Sequence, residues 1–118
     1  MQWNNLANEA QIDKIIEQSY KKPVLIYKHS TRCNISDMAM EHLENQGTKK
    51  ELSKYAEPYY LDLIRFREIS RLIEEKFNVR HQSPQILLIR NGKAVYNASH
   101  MGISAEPIIK NVNHQTVS

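Results

Sequence analysis

Two short runs in this chain, Val24-Leu25-Ile26-Tyr27 and Ile86-Leu87-Leu88-Ile89, are apolar at every position. A strand with one wet face alternates apolar and polar residues, so an unbroken run of this kind marks a strand covered on both faces. Two such strands form the middle of a sheet and require a layer on each side. The intervening segments supply helices for those layers. Over residues 9–20, Ile12, Ile15, Ile16 and Ser19 recur at helical spacing, with Asn8 as the cap and Gln11 at the capping-box position. A second helix of about 13 residues begins near Cys33, with Ile35, Ala39, His42 and Leu43 on one face and Gly47 suited to its end. A strand follows at Pro58–Leu63, then a third helix with Phe66, Ile69, Ile73 and Phe77 on one stripe. Asn91-Gly92 is a hairpin turn that pairs the second apolar run antiparallel with Ala94–Ala98. Ser104 as cap and Pro107 in the first turn open a last short helix after Gly102.

The element order is therefore α-β-α-β-α-β-β-α. Strands separated by a helix lie parallel with a right-handed crossover, and the hairpin adds an antiparallel pair. The expectation is an α/β fold: a four-stranded mixed sheet with helices on both faces. A chain of 118 residues makes one domain, its core at about residues 9–112 and its polar tail, 113–118, frayed.

Composition removes several function classes. Sixteen basic and 13 acidic side chains leave a net charge of only +3, without the one-sign block of a nucleic-acid arm. Arg65, Arg67 and Arg71 share their helix with Glu68, Glu74 and Glu75, which reads as a solvated mixed-charge face. No apolar run approaches the roughly 18 residues of a membrane span, and Met1–Asn5 has no secretory character. A single cysteine forms no internal disulfide and no cysteine-based zinc site. His29, His42, His81, His100 and His114 are scattered without ligand spacing. A cytoplasmic protein without metal, nucleic-acid partner or membrane is expected. No glycine-rich phosphate loop and no nucleophile elbow is present, so the chemical interest falls on Cys33.

Cys33 stands where the loop after the first apolar strand turns into a helix. The unpaired N–H groups and the dipole of that helix stabilise a thiolate, the nucleophilic form. Lowering a thiol pKa from about 8.5 to about 6 raises its ionised fraction at pH 7 from roughly 3 % to roughly 90 %. Arg32 adjoins it, His29 lies four residues before it, and the Ser36 hydroxyl follows three residues later on the same helical face. A lone cysteine is most often a small buried hydrophobe. Its polar neighbours Thr31, Arg32, Asn34 and Ser36 turn the reading towards a reactive thiol. Pro84 begins the second apolar strand, where a missing N–H is tolerated. Its bond to Ser83 has two readings, an ordinary trans bond or a cis bond that exposes the Ser83 backbone beside the Cys33 loop.

Cys33-Asn34-Ile35-Ser36, Val79-Arg80 ahead of Ser83-Pro84, Ile86–Lys93 and Met101-Gly102 together resemble the thioredoxin fold almost end to end. Tyr27-Lys28-His29-Ser30-Thr31-Arg32-Cys33 with Ile35-Ser36, and His81-Gln82-Ser83-Pro84-Gln85, more specifically resemble the monothiol bacilliredoxins of the bacillithiol system. That resemblance implies a cis Pro84 against the active-site cysteine and cytosolic thiol–disulfide exchange. Cys33 would be the catalytic nucleophile, Ser36 and Arg32 would support its thiolate, and Ser83, Pro84, His29 and Thr31 would line the substrate. The implied partners are bacillithiol, as co-substrate, and S-bacillithiolated proteins; no tightly bound cofactor and a monomer are expected. Because bacillithiol carries a malate, Arg32, Lys28 or His29 would bind its carboxylates. The chain departs from thioredoxins in lacking the Trp before the cysteine and the Gly-Pro after it, and Trp3 reads as an N-terminal packing anchor. Asn34 stands where close relatives of the bacilliredoxin kind carry proline. Two other readings compete. One is an iron–sulfur cluster carrier of the monothiol glutaredoxin kind, against which the missing Gly-Phe counts. The other is a non-catalytic thioredoxin-like binding module of the stress response.

Overall fold

The computed structural model describes residues 3–29 and 56–99, together with Ile103, Ile108 and Lys110. The expected helix beginning near Cys33 and the frayed tail lie outside the described residues. So does most of the last expected helix, although Ile108 and Lys110 are both helical.

The two apolar runs become the adjacent strands β2 (Val24–His29) and β4 (Gln85–Arg90), joined antiparallel from Val24 opposite Ile89 to Lys28 opposite Gln85. On the outer side of β2 lies β3 (Glu57–Asp62), parallel to it from Val24 opposite Glu57 to His29 opposite Asp62. Beyond β4 lies β5 (Lys93–Ser99), its antiparallel partner. The hairpin turn carries positive φ at both Asn91 (53°) and Gly92 (76°), the conformation for which Asn-Gly is suited. A bulge at Leu88/Ile89 leaves Val95 as the extra residue of β5.

The sheet has five strands where four were expected. The additional one, β1 (Asn4–Asn5), pairs parallel with β3 through Tyr59 and Tyr60. Two exposed asparagines carry no hydrophobic pattern to betray a strand. Hydrogen bonds hold it: Asn4 Nδ2 donates to Glu57 Oε1 at 2.9 Å and to the Pro58 carbonyl at 3.0 Å, and the Leu6 N–H donates to the Tyr60 carbonyl at 2.8 Å. The full order is β1-β3-β2-β4-β5.

Alternation along β2 and β4 divides the core into two layers. Val24, Ile26, Leu87 and Ile89 meet Ile12 and Ile15 of α1 (Glu9–Gln18) and Ile69, Ile73 and Phe77 of α2 (Arg67–Phe77). Leu25, Tyr27, Ile86 and Leu88 meet Ala56, Ile103 and Ile108 on the other face. Trp3 packs there edge-on against Tyr27, with ring centroids 5.8 Å apart, as an N-terminal anchor should. Helix α1 starts with the expected capping box: the Gln11 N–H donates to Asn8 Oδ1 and the Asn8 N–H to Gln11 Oε1, each at 3.1 Å. It stops at Gln18, two residues early, with Ser19 as a C-cap in the right-handed region whose N–H donates to the Ile15 carbonyl at 2.9 Å and whose remaining groups hold the hairpin turn. Its hydroxyl accepts from the Gly92 N–H at 2.8 Å and its carbonyl from the Asn91 N–H at 3.0 Å.

Candidate functional site

The carboxyl ends of β2 and β3 and the amino end of β4 meet at one edge of the sheet, where Lys28 and His29 stand beside Asp62 and Gln85. Open α/β sheets place ligands at such an edge, because the chain leaves the strands there in loops free to carry chemistry. Lys28 occupies the phase of Val24 and Ile26, which sends its side chain into the layer beneath α1 and α2, and it is wholly buried. His29 takes the opposite phase, between the rings of Tyr27 at 6.0 Å and Tyr60 at 5.4 Å. Only 5 % of it is exposed.

A polar cluster surrounds Lys28. Its Nζ lies 3.4 Å from His81 Nδ1, and the Ser70 hydroxyl lies 3.3 Å from the same nitrogen. An ammonium only donates, so Nδ1 accepts and the ring proton rests on Nε2. Ser70 comes from the buried stripe of α2, and Glu74, one turn further, accepts the His81 backbone N–H. Burial pulls the Lys28 pKa down from 10.5 to about 8, with Glu74 opposing the shift. Burial also lowers His81, and the Lys28 charge adds to that, again against Glu74. At neutral pH the pair is an ammonium facing a neutral imidazole.

The segment from Asn78 to Pro84 is tied down along its length. Asn78 ends α2 in the left-handed region at φ 54°. The buried Gln85 side chain donates from Nε2 to the Arg80 carbonyl at 2.9 Å and accepts from the Gln82 N–H at 3.4 Å. The Ser83–Pro84 bond that follows is cis, the state the thioredoxin resemblance implies. Pro84 is buried and Ser83 half-buried. Between this segment and α2 opens a cleft of about 370 Å³ lined by Leu63, Ile64, Arg67, Ser70, Arg71, Glu74 and His81.

Of the residues singled out from sequence, His29, Ser83 and Pro84 come to this edge of the sheet, because Lys28 opposite Gln85 sets the end of β2 beside the start of β4. Cys33, Ser36, Arg32 and Thr31 lie outside the described residues. Lys28, expected to reach ligand carboxylates, is buried beneath His81 instead. Sequence reasoning missed the cluster of Lys28, Ser70, Glu74 and His81. Its one legible signal is a lysine in phase with Val24 and Ile26, where the pattern demands an apolar residue. The expected mixed-charge face of α2 is present, with Arg71 bonded to Glu68 and, at 2.6 Å, to Glu75. Among the described residues no helix is long and apolar enough to cross a membrane.

Comparison with known proteins agrees with this geometry. The structure is similar to a candidate oxidoreductase with a thioredoxin fold at 31 % identity, covering 93 % of this chain and 92 % of that one, with a TM-score of 0.75. It shares its fold with chloroplastic thioredoxin z at 12 % identity, covering 100 % and 97 % of the two chains, with a TM-score of 0.71. The thioredoxin Mala s 13 of Malassezia sympodialis matches at 13 % identity, covering 96 % and 90 %, with a TM-score of 0.70. The family described as "Monothiol bacilliredoxin BrxC" matches residues 4–108. The chain belongs to the monothiol bacilliredoxin family and is a thiol–disulfide oxidoreductase of the thioredoxin fold.

Proposed function

We propose that the chain removes bacillithiol from protein mixed disulfides, with Cys33 as the nucleophile. The observation that carries this reading is the meeting of β2, β3 and β4 at one edge, because the only cysteine of the chain follows β2 by four residues. The Cys33 thiolate attacks the bacillithiol sulfur of the mixed disulfide. The sulfur–sulfur bond breaks, the target protein leaves as a thiolate that takes up a proton, and Cys33 becomes disulfide-bonded to bacillithiol. A second bacillithiol thiolate then attacks that bacillithiol sulfur, releasing the Cys33 thiolate and a symmetric bacillithiol disulfide. In the net exchange one mixed disulfide and one free bacillithiol give the target thiol and one bacillithiol disulfide, one half of which is the group the target carried. With no second cysteine the resolving thiol comes from outside.

Arg32 and Ser36 support the thiolate, and Thr31, His29, Ser83 and Pro84 line the bound disulfide. Bacillithiol serves as a co-substrate rather than a resident cofactor, and the protein works as a monomer in the cytoplasm. The test is transfer of bacillithiol from a modified target protein, followed by intact mass. Wild type takes up one bacillithiol and Cys33→Ser takes up none; equal release of the target by the two proteins overturns the reading. Alkylation of the single thiol against pH adds an independent check, with a midpoint well below about 8.5 expected for an activated thiolate.

A further inference from the structure

We propose that the cleft between α2 and the Asn78–Pro84 segment is an anion subsite that takes a small dicarboxylate, with Arg67 as its direct contact and Lys28 as a buried countercharge beneath it. The first support is the charge inventory of the walls. Arg71 is balanced by Glu68 and Glu75, and the Glu74 carboxylate accepts the His81 N–H and acts as an opposing charge on the buried Lys28. Arg67 is exposed and has no ion pair among the described residues.

The second support is independent of the surface. A wholly buried lysine is costly to fold, and the hydrogen-bond acceptor of Lys28 is a neutral ring nitrogen at 3.4 Å. His81, whose Nδ1 faces that ammonium, also lines the cleft, and Lys28 does not. With Nδ1 engaged by Lys28 and Ser70, His81 keeps Nε2–H as its remaining donor. A carboxylate in the cleft gains a charge-assisted contact from Arg67 and the field of a cation that water does not screen. Leu63 and Ile64 give the cleft an apolar wall for a short carbon chain, and its volume of about 370 Å³ suits a small molecule.

This subsite deepens the function proposed above, since bacillithiol carries a malate and His81 stands two residues before Ser83. Its test does not need the exchange chemistry. L-malate is titrated into the Cys33→Ser protein, with binding read by calorimetry and by NMR shifts of the His81 ring. Saturable binding is expected, with His81 and Ser70 signals moving together. Arg67→Gln, an exposed change, should weaken it about ten-fold or more, and Lys28→Met several-fold without touching the ligand. No saturable binding, or binding that Arg67→Gln leaves unchanged, overturns the subsite. Should Lys28→Met fail to fold, Arg67→Gln decides alone. Malate binding by Cys33→Ser upholds the subsite even if wild type proves inactive in exchange, so the two proposals fail separately.

Discussion

At the Val24–Ile89 end of the central ladder, short neutral hydrogen bonds tie the end of α1 to the hairpin turn. Ser19 caps α1 and at the same time holds the hairpin turn through both its hydroxyl and its carbonyl. At the Lys28–Gln85 end, four residues along the same two strands, the core contains an ammonium, an imidazole and a serine hydroxyl sharing one nitrogen. Both ends are buried and both are polar. The first uses neutral hydrogen bonds to fix a turn, which stabilises the fold. The second buries a charge against a weak acceptor, which costs stability. Such a cost survives in a fold when the group is used for something else, and the second end is the one that faces the cleft.

Ile26 and Lys28 point into the same layer and sharpen this contrast most. Ile26→Ala should lower stability by about 2–5 kcal/mol, the cost of a cavity under α1 and α2, measured by urea unfolding. Lys28→Met, a volume-conserving change, should leave stability unchanged or raise it. If Lys28→Met costs as much as Ile26→Ala, the buried charge is part of the stabilising core and the comparison breaks.

The pH dependence of stability separates the same two possibilities. The folded-state pKa of Lys28 lies near 8, against 10.5 when free. Between these values the unfolded chain binds more protons, so stability rises with pH. The penalty is complete below about pH 8, where folded and unfolded chains are both protonated, and absent above pH 10.5. Its full size is about 3 kcal/mol from the separation of the two pKa values. The unfolding free energy of wild type relative to Lys28→Met should therefore rise by roughly that amount from pH 7.5 to 10.5. A difference that stays flat would mean Lys28 titrates normally and is not buried as an ammonium.

Much of this was legible because hydrophobic period and turn chemistry are local properties. The apolar runs at 24–27 and 86–89, the Asn8–Gln11 capping box, the Phe66–Phe77 stripe and the Asn91-Gly92 turn each state their element within a few residues. β1 was not legible: Asn4 and Asn5 are a strand only because β3 offers them an edge, which no local pattern records. The site was partly legible. Ser83 and Pro84 announce a strand start, and motif resemblance picked out the segment containing His81. Nothing in the spacing of Lys28, Ser70, Glu74 and His81 brings them together, since they meet only after β2, α2 and the 78–84 segment have packed. The burial of His29 between Tyr27 and Tyr60 was invisible for the same reason.

The smallest effects belong to the neutral end and check that it is purely structural. Gly92 has φ of 76°, and a Cβ there would lie 3.0 Å from the Tyr20 hydroxyl. Gly92→Ala should cost about 1–2 kcal/mol from the left-handed backbone alone, with the exposed Tyr20 ring free to yield. Ser19→Ala removes the bond to the Gly92 N–H and should cost about 1 kcal/mol. Asn8→Ala, at the other end of α1, should cost a similar amount through loss of the capping box. All three should leave malate binding and the pH-dependent rise of stability as they are in wild type. A change in either, measured on a folded Ser19→Ala protein, would mean that α1 and the hairpin turn transmit to the Lys28 end, and that the two ends of the ladder are one device rather than two.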